Sequence, residues 1–300
     1  MKLLTDLSVT ARRHRPAAAP ALLLDFARQA YRAAGVPVPL SSVLNFSRAS
    51  AAVRGTAGGL LETAGPDVLR LDHAFGSGAF RGALFEPAAT NLLSHSSDFT
   101  QSAWSGYAAK PAVTGGQDAP DGSLTAMTWN CSATTGGAGG QRGGILVVGG
   151  SVSGVATASV WLRASAPLGM RFGHSDGTSK AITVTPEWQR FSYTNVLPNT
   201  QNRVFMLYED VNADTDVFIW GAQVELGGSA SSYISTGASP TARSADQPGL
   251  TGISGTFDVT ITYDDDSQDK LAGETVSEGW WPALSRPWVK KLVVGKEAGR

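Results

Sequence analysis

Gly154-Val-Ala-Thr-Ala-Ser-Val-Trp-Leu-Arg-Ala164 is the stretch that decides the fold. In a strand, side chains two residues apart share a face. Ala156, Ala158, Val160, Leu162 and Ala164 therefore make one apolar face, and Val155, Thr157, Ser159, Trp161 and Arg163 make the other. The same period of two recurs at Ile182/Val184, Phe191/Tyr193, Val204/Met206/Tyr208 and Phe218/Trp220/Ala222/Val224/Leu226. Turn residues separate these runs at Asp176-Gly177, Pro186, Pro198-Asn199 and 212–214. Many strands at close spacing, with no helical segment to cross over, predict two packed antiparallel sheets.

Composition agrees with an all-β chain. With 35 Gly and 15 Pro among 300 residues, short elements are favoured over long helices. Apolar residues at 42% suffice for sizeable cores, and charge at 16% is low for solvated helices. A formal net charge of −1 gives no global field to hold a polyanion, so nucleic-acid binding is not expected. A single cysteine, Cys131, excludes an internal disulfide framework and any multi-cysteine metal site. No apolar run is long enough to predict a membrane span.

Working outward, four segments are expected. Residues 1–45 carry Lys2, Arg12, Arg13, Arg15, Arg28 and Arg32 against Asp6 and Asp25, which marks an N-terminal attachment arm or a plain linker. Within it Leu22, Leu23, Phe26, Ala30 and Tyr31 share one face of a helix of about three turns, and the prolines of 36–39 force extended chain. Residues 46–90 form a short β-rich segment punctuated by Gly58-Gly59, Gly65-Pro66 and Gly76-Ser-Gly78. The jelly roll covers 91–247. A small C-terminal β domain, 248–300, has strands at 257–263 and 288–294 around a turn at 264–267. Its acidic half is followed by a basic half, and the two are expected to face each other or a partner subunit.

An ordered set of short motifs carries a family likeness. Leu24-Asp25-Phe26, Gly35-Val-Pro-Val-Pro39, Phe46-Ser-Arg-Ala-Ser50, Leu84-Phe-Glu-Pro87 and Thr90-Asn-Leu-Leu93 resemble a leader of tailed-phage and gene-transfer-agent-like virion proteins. Ser97-Asp-Phe99, Ala103-Trp104, Ala119-Pro-Asp-Gly122, Ser159-Val-Trp-Leu-Arg163, Glu187-Trp-Gln-Arg190, Ile219-Trp-Gly-Ala-Gln223 and Ser232-Tyr-Ile-Ser-Thr236 are similar to the carbohydrate-binding-module-like jelly rolls of phage tail fibres and other virion adhesins. The resemblance spans about residues 22–246. It implies a virion protein, on the tail or capsid surface, that attaches the particle to a host surface polysaccharide by non-covalent glycan binding. The alternative it leaves open is a structural fibre or connector protein. Other virion proteins are the implied partners, and by analogy with fibres a homo-oligomer, a trimer, is implied.

The catalytic motifs fail on context. Gly173-His-Ser-Asp-Gly177 fits a nucleophile elbow, but that elbow needs a helix after the serine, whereas 178–185 reads as a strand; a hairpin turn is expected. The glycines of 136–144 lack the Gly-Lys-Ser/Thr ending of a phosphate cradle, and His14, His73, His95 and His174 show no zinc-ligand spacing. Asp264, Asp265 and Asp266 read as an acidic turn rather than a Ca²⁺ loop. A structural Ca²⁺, common in such jelly rolls, cannot be placed. Glu187, Glu209, Asp210, Asp216 and Glu225 offer carboxylates for glycoside cleavage, but the sequence does not pair them. The expectation is a non-enzyme without cofactor.

Aromatic residues carry the binding expectation, because a sugar ring stacks its C–H groups on an indole. Trp161 lies opposite the dry face of its strand beside Arg163, a position that calls for a ligand or for a covering layer from 46–87. Arg171, Tyr208 and Gln223 are the candidates to share that face, and Trp104, Trp129, Trp188 and Trp220 fit core positions.

Overall fold

The computed structural model describes residues 19–107, 111–130, 144–148, 152–174, 179–197, 203–209 and 215–296. Cys131, the 136–143 glycines, Asp210, the Asp176-Gly177, Pro198-Asn199 and 212–214 turns and the basic residues of 1–18 lie outside them. The described chain is all-β, with one short 3₁₀ turn at Leu40–Ser42.

Gly154–Ala164 is the strand its alternation predicts, and it sits between Asp216–Leu226 and Gln189–Leu197. With Ala126–Asn130 and Thr114–Gln117 these make a five-stranded front sheet. The back sheet runs in the order Trp104–Tyr107, Gly144–Val148, Arg203–Glu209, Leu168–Gly173, Ser179–Val184. Every pairing in both sheets is antiparallel. The core between them holds Val160, Leu162 and Ile219 from the front sheet and Met170, Phe172, Phe205 and Leu207 from the back, all fully buried. Trp104 and Trp129 lie in this core as expected.

The ends of the chain pair differently from the segmentation read off composition. Leu22–Asp25 lies antiparallel to Trp288–Lys296, with Leu22 opposite Val294 and Leu24 opposite Leu292. Gly255–Tyr263 and Gln268–Val276 extend the sheet on one side, Ala30–Ala33 and Val36–Pro37 on the other, and Phe80–Leu84 and Arg70–His73 join at Trp288–Lys296. From Leu22 onward the supposed arm and the C-terminal segment are therefore one eight-stranded base sheet. The jelly roll is inserted into this base. Its exit, Ala89–Asn91, and its return, Thr241–Arg243, are paired, with Asn91 opposite Thr241.

The helix expected from Leu22 to Tyr31 does not form. Asp25 Oδ1 accepts the Arg28 backbone N–H at 3.0 Å, and Gln29 takes φ 49°, so the chain turns back at 26–29. Leu22, Leu24 and Phe26 gain a core with Val259, Ile261 and Leu292 instead. The charge blocks of the C-terminal segment do face each other: Arg286 meets Asp264 at 2.8 Å and Asp265 at 3.2 Å, and Lys290 meets Asp266 at 2.8 Å.

A buried polar clasp fixes insert to base. Arg48 Nη1 donates to Asp246 Oδ1 at 3.0 Å, and Arg70 donates to Asp246 Oδ2 at 2.5 Å and to Glu86 Oε2 at 2.8 Å. Glu86 also accepts from the Ser232 N–H and Oγ–H, both at 2.7 Å, and Ser232 belongs to the insert. Burial alone would raise the Glu86 carboxyl; Arg243, Arg70 and the Ser232 hydrogen bonds outweigh it and hold the group below the usual carboxylate range. Nearby, the Asn91 amide satisfies Ala222 O, Ile234 O, Leu93 N and Val224 N in a fully buried position.

Candidate functional site

For the outer face of the front sheet the sequence leaves two alternatives at Trp161, a ligand or a covering layer. The face is largely dry: Thr157, Ser159, Trp161 and Gln223 are all buried. The covering layer comes from the base and from the chain after Leu226. Trp161, 6% exposed, meets the edge of Phe75 with ring centroids 4.6 Å apart, and clusters with Ala119, Ala126, Trp220 and Tyr233. The 46–87 segment is thus the layer over Trp161. Each large aromatic buried here contributes on the order of 1.5–3 kcal/mol.

A bulge shapes this cluster. Ser159 pairs with Gln223 and Trp161 with Trp220, so two residues, Gly221 and Ala222, stand opposite Val160. Gly221 has φ 62°, and a Cβ there would lie 3.3 Å from Trp161 Cδ1 and 3.4 Å from the Tyr233 ring. Next to it Trp220 and Tyr233 pack with ring centroids 4.5 Å apart.

Beside them lies an open groove of about 720 Å³ between the front sheet and the hairpin of Ala52–Gly55 and Leu61–Ala64. This hairpin is held by the Leu61 N–H to Pro120 O bond at 3.0 Å, and its tip by Gly76 N–H to Gly59 O at 2.8 Å. Gly59, at φ 79°, allows that approach, since a Cβ would sit 2.6 Å from Gly76 O. Trp220 and Tyr233 form the floor, and Val53, Leu60 and Leu61 supply aliphatic surface. Six hydroxyls, of Thr56, Thr63, Ser97, Thr125, Tyr233 and Ser235, line it together with the Glu62 and Asp121 carboxylates.

The floor hydroxyls are fixed. Trp220 Nε1–H donates to Thr125 Oγ1 at 2.9 Å, and Tyr233 OH is 2.7 Å from Ser96 Oγ and 2.8 Å from Ser97 Oγ. Burial pushes the Tyr233 hydroxyl up, outweighing its serine hydrogen bonds, and the Asp121 charge adds to the rise, so the phenol stays protonated. Behind the hairpin a narrower crevice of about 220 Å³ reaches Asp72, Phe75, Trp161 and Arg190.

The five sequence candidates do not share one site. Trp161, Arg163 and Gln223 belong to the front sheet, while Arg171 and Tyr208 face each other in register across the back sheet, with the sandwich core between the two sets. Arg163 lies over the Phe218 ring at 4.1 Å and near Trp188 at 5.4 Å. Gln223 is spent internally, accepting from Ile234 N–H and donating to Glu225 Oε1, both at 2.8 Å. Glu225 in turn accepts from Ser231 N–H and Oγ–H at 2.7 Å. Arg171 and Tyr208 are half-buried, with Ser179 Oγ 3.3 Å from Tyr208 OH.

The groove residues were missed as a set, yet a signal for them existed. Ser97, Asp121, Trp220, Tyr233 and Ser235 each lie in one of the quoted motifs, and the fold converges those motifs on the groove. Among the described residues no helix follows the nucleophile-elbow motif: Ser179–Val184 is a strand, with Ser179 paired to Gly173. His174 is fully buried, with Nδ1 2.5 Å from Val204 O. Among the described residues no group of three His, Cys, Asp or Glu is placed to hold a metal ion, and no helix is long and apolar enough to cross a membrane.

The sequence matches no protein-family model and no curated protein. Solved structures similar to it include the enzymatically active domain of tailspike protein 4 of bacteriophage CBA120, at 14% identity over 45% of this chain and 21% of that one, TM-score 0.32. The chain thus spans about a fifth of the length of that solved domain. A CBM22-1 xylan-binding domain from Paenibacillus barcinonensis is similar at 16% identity over 47% of this chain and 94% of that one, TM-score 0.31. The baseplate tripod of bacteriophage Tuc2009 is similar at 12% identity over 81% of this chain and 86% of that one, TM-score 0.33.

Proposed function

We propose that the protein is a non-catalytic virion adhesin that holds a host surface polysaccharide in the groove between the front sheet and the Ala52–Gly55/Leu61–Ala64 hairpin. The observation that carries this is the lining. Hydroxyl side chains both donate and accept, carboxylates accept from sugar hydroxyls, and Val53, Leu60 and Leu61 offer aliphatic surface to a ring's C–H face. The volume lies in the range of ligand sites, and an open groove admits an internal stretch of polymer. The motifs quoted from the sequence supply the virion setting. Repetition of the chain in a homo-oligomer such as a trimer would let weak single-site binding suffice.

Thr63 tests the reading because it is exposed at the groove and its side chain makes no hydrogen bond among the described residues. On an array of bacterial surface glycans, Thr63→Trp should lose the binding of the unaltered chain without a change in melting temperature. Retained binding overturns the groove as the site.

A connector role is the second reading, favoured by one observation. Val155 and Val196 stand opposite each other at one end of the front sheet, 45% and 67% exposed. If this apolar pair seats a neighbouring virion subunit, Val196→Asp should lower incorporation into particles and leave glycan binding intact.

A further inference from the structure

We propose that the groove accepts glycans without anionic groups, neutral or amino-bearing, and rejects uronates, sialates and phosphorylated sugars. This rests on the reading of the groove as a saccharide site.

The described lining includes Glu62 and Asp121 but no Lys, Arg or His. One of the two carboxylates is paired with a cation at the hairpin. Arg54 Nη2 meets Glu62 Oε1 at 2.8 Å, which offsets the Glu62 charge, and Arg54 lines the crevice behind the hairpin rather than the groove. Asp121 has no ion-pair partner among the described residues. Its Oδ1 accepts both the Ser123 N–H at 3.0 Å and the Ser123 Oγ–H at 2.6 Å, which leaves Oδ2 for a ligand. Asp121 and the Tyr233 floor line the same groove, so the carboxylate charge bears on any ligand seated there.

An ionised carboxylate only accepts hydrogen bonds. Hydroxyl, amide N–H and ammonium groups satisfy it, whereas a ligand carboxylate or phosphate brings no proton and is repelled. The hydroxyls that line the rest of the groove cannot reverse this, because none carries a positive charge.

The test uses the full chain, its Asp121→Asn variant and its Thr63→Trp variant on an array pairing neutral, amino-bearing and acidic bacterial glycans at two salt concentrations. The unaltered chain should bind neutral or amino-bearing glycans at least about tenfold better than acidic ones. Asp121→Asn should narrow that ratio several-fold, and added salt should narrow it in the unaltered chain. Equal binding of acidic glycans, or a ratio untouched by Asp121→Asn, overturns the selectivity while loss of binding in Thr63→Trp preserves the groove reading. Binding that survives Thr63→Trp, or no binding to any glycan, overturns both.

Discussion

Replacing Glu86 by Gln removes the negative charge that joins base to insert while keeping the side chain's shape. In the clasp the carboxylate faces Arg70 at 2.8 Å and Arg243 at 3.5 Å, with all three side chains almost wholly buried. Removing one member of such a group leaves an uncompensated buried cation and costs about 3–5 kcal/mol. Arg70 retains Asp246 at 2.5 Å, so the penalty falls mainly on Arg243 and the lower end, about 3 kcal/mol, is expected. Gln also has one acceptor oxygen where Glu86 uses two toward Ser232. At roughly 2–4 °C per kcal/mol for a chain of this size, the melting temperature should fall by about 6–12 °C. The pH dependence supplies a second arm. A carboxyl held below its unfolded range stabilises above the unfolded pKa, and that stability is lost as pH falls through the lower folded value. The melting temperature of the unaltered chain should therefore drop more steeply on acidification below about pH 4 than that of Glu86→Gln. Calorimetry showing a shift under about 2 °C at neutral pH, with parallel acid profiles, would refute a desolvated, coupled clasp.

Three further outcomes follow from particular contacts. Trp161→Ala removes a buried indole packed on Phe75 and should cost about 3–5 kcal/mol by urea denaturation, marking a packing role rather than an exposed stacking platform. Gly221→Ala forces a residue at φ 62° to carry a Cβ against Trp161 and Tyr233; a loss of about 1–2 kcal/mol should accompany weaker glycan binding. Gly55→Ala would place a Cβ 1.9 Å from His73 O, so the hairpin must move off the Arg70–His73 strand, which limited proteolysis within 52–64 should detect.

The sandwich was legible because a strand with one dry face announces itself through its period. Gly154–Ala164 buries Ala156, Ala158, Val160, Leu162 and Ala164 as its alternation requires. Its other face was legible only as two alternatives, a ligand or a covering layer from 46–87; the second holds, with Phe75 against Trp161, and local pattern alone could not choose that distant partner. The base sheet was hidden for the same reason: Leu24 meets Leu292 across almost the whole sequence. Gln268–Val276 escaped notice because it is an edge strand whose exposed positions, such as Gln268 and Lys270, break the apolar alternation. The short motifs that carry the family likeness also hold the fold's polar joints. Arg48, Glu86, Asn91, Gln223 and Ser232 all lie in motifs, and all form the buried polar joint around the insert. The groove's threonines gave no pattern, because exposed hydroxyls that line a concave surface look like any other solvated residues until the fold brings them together.

Hydrogen exchange of the full chain, with and without a glycan bound on the array, tests the adhesin groove most directly. Binding in the groove should protect backbone amides of 56–63 and 121–125 and leave the back-sheet strands Leu168–Gly173 and Ser179–Val184 unchanged. Protection on the back sheet around Arg171 and Tyr208, with 56–63 unaffected, would contradict the account and move the site to the opposite face of the sandwich.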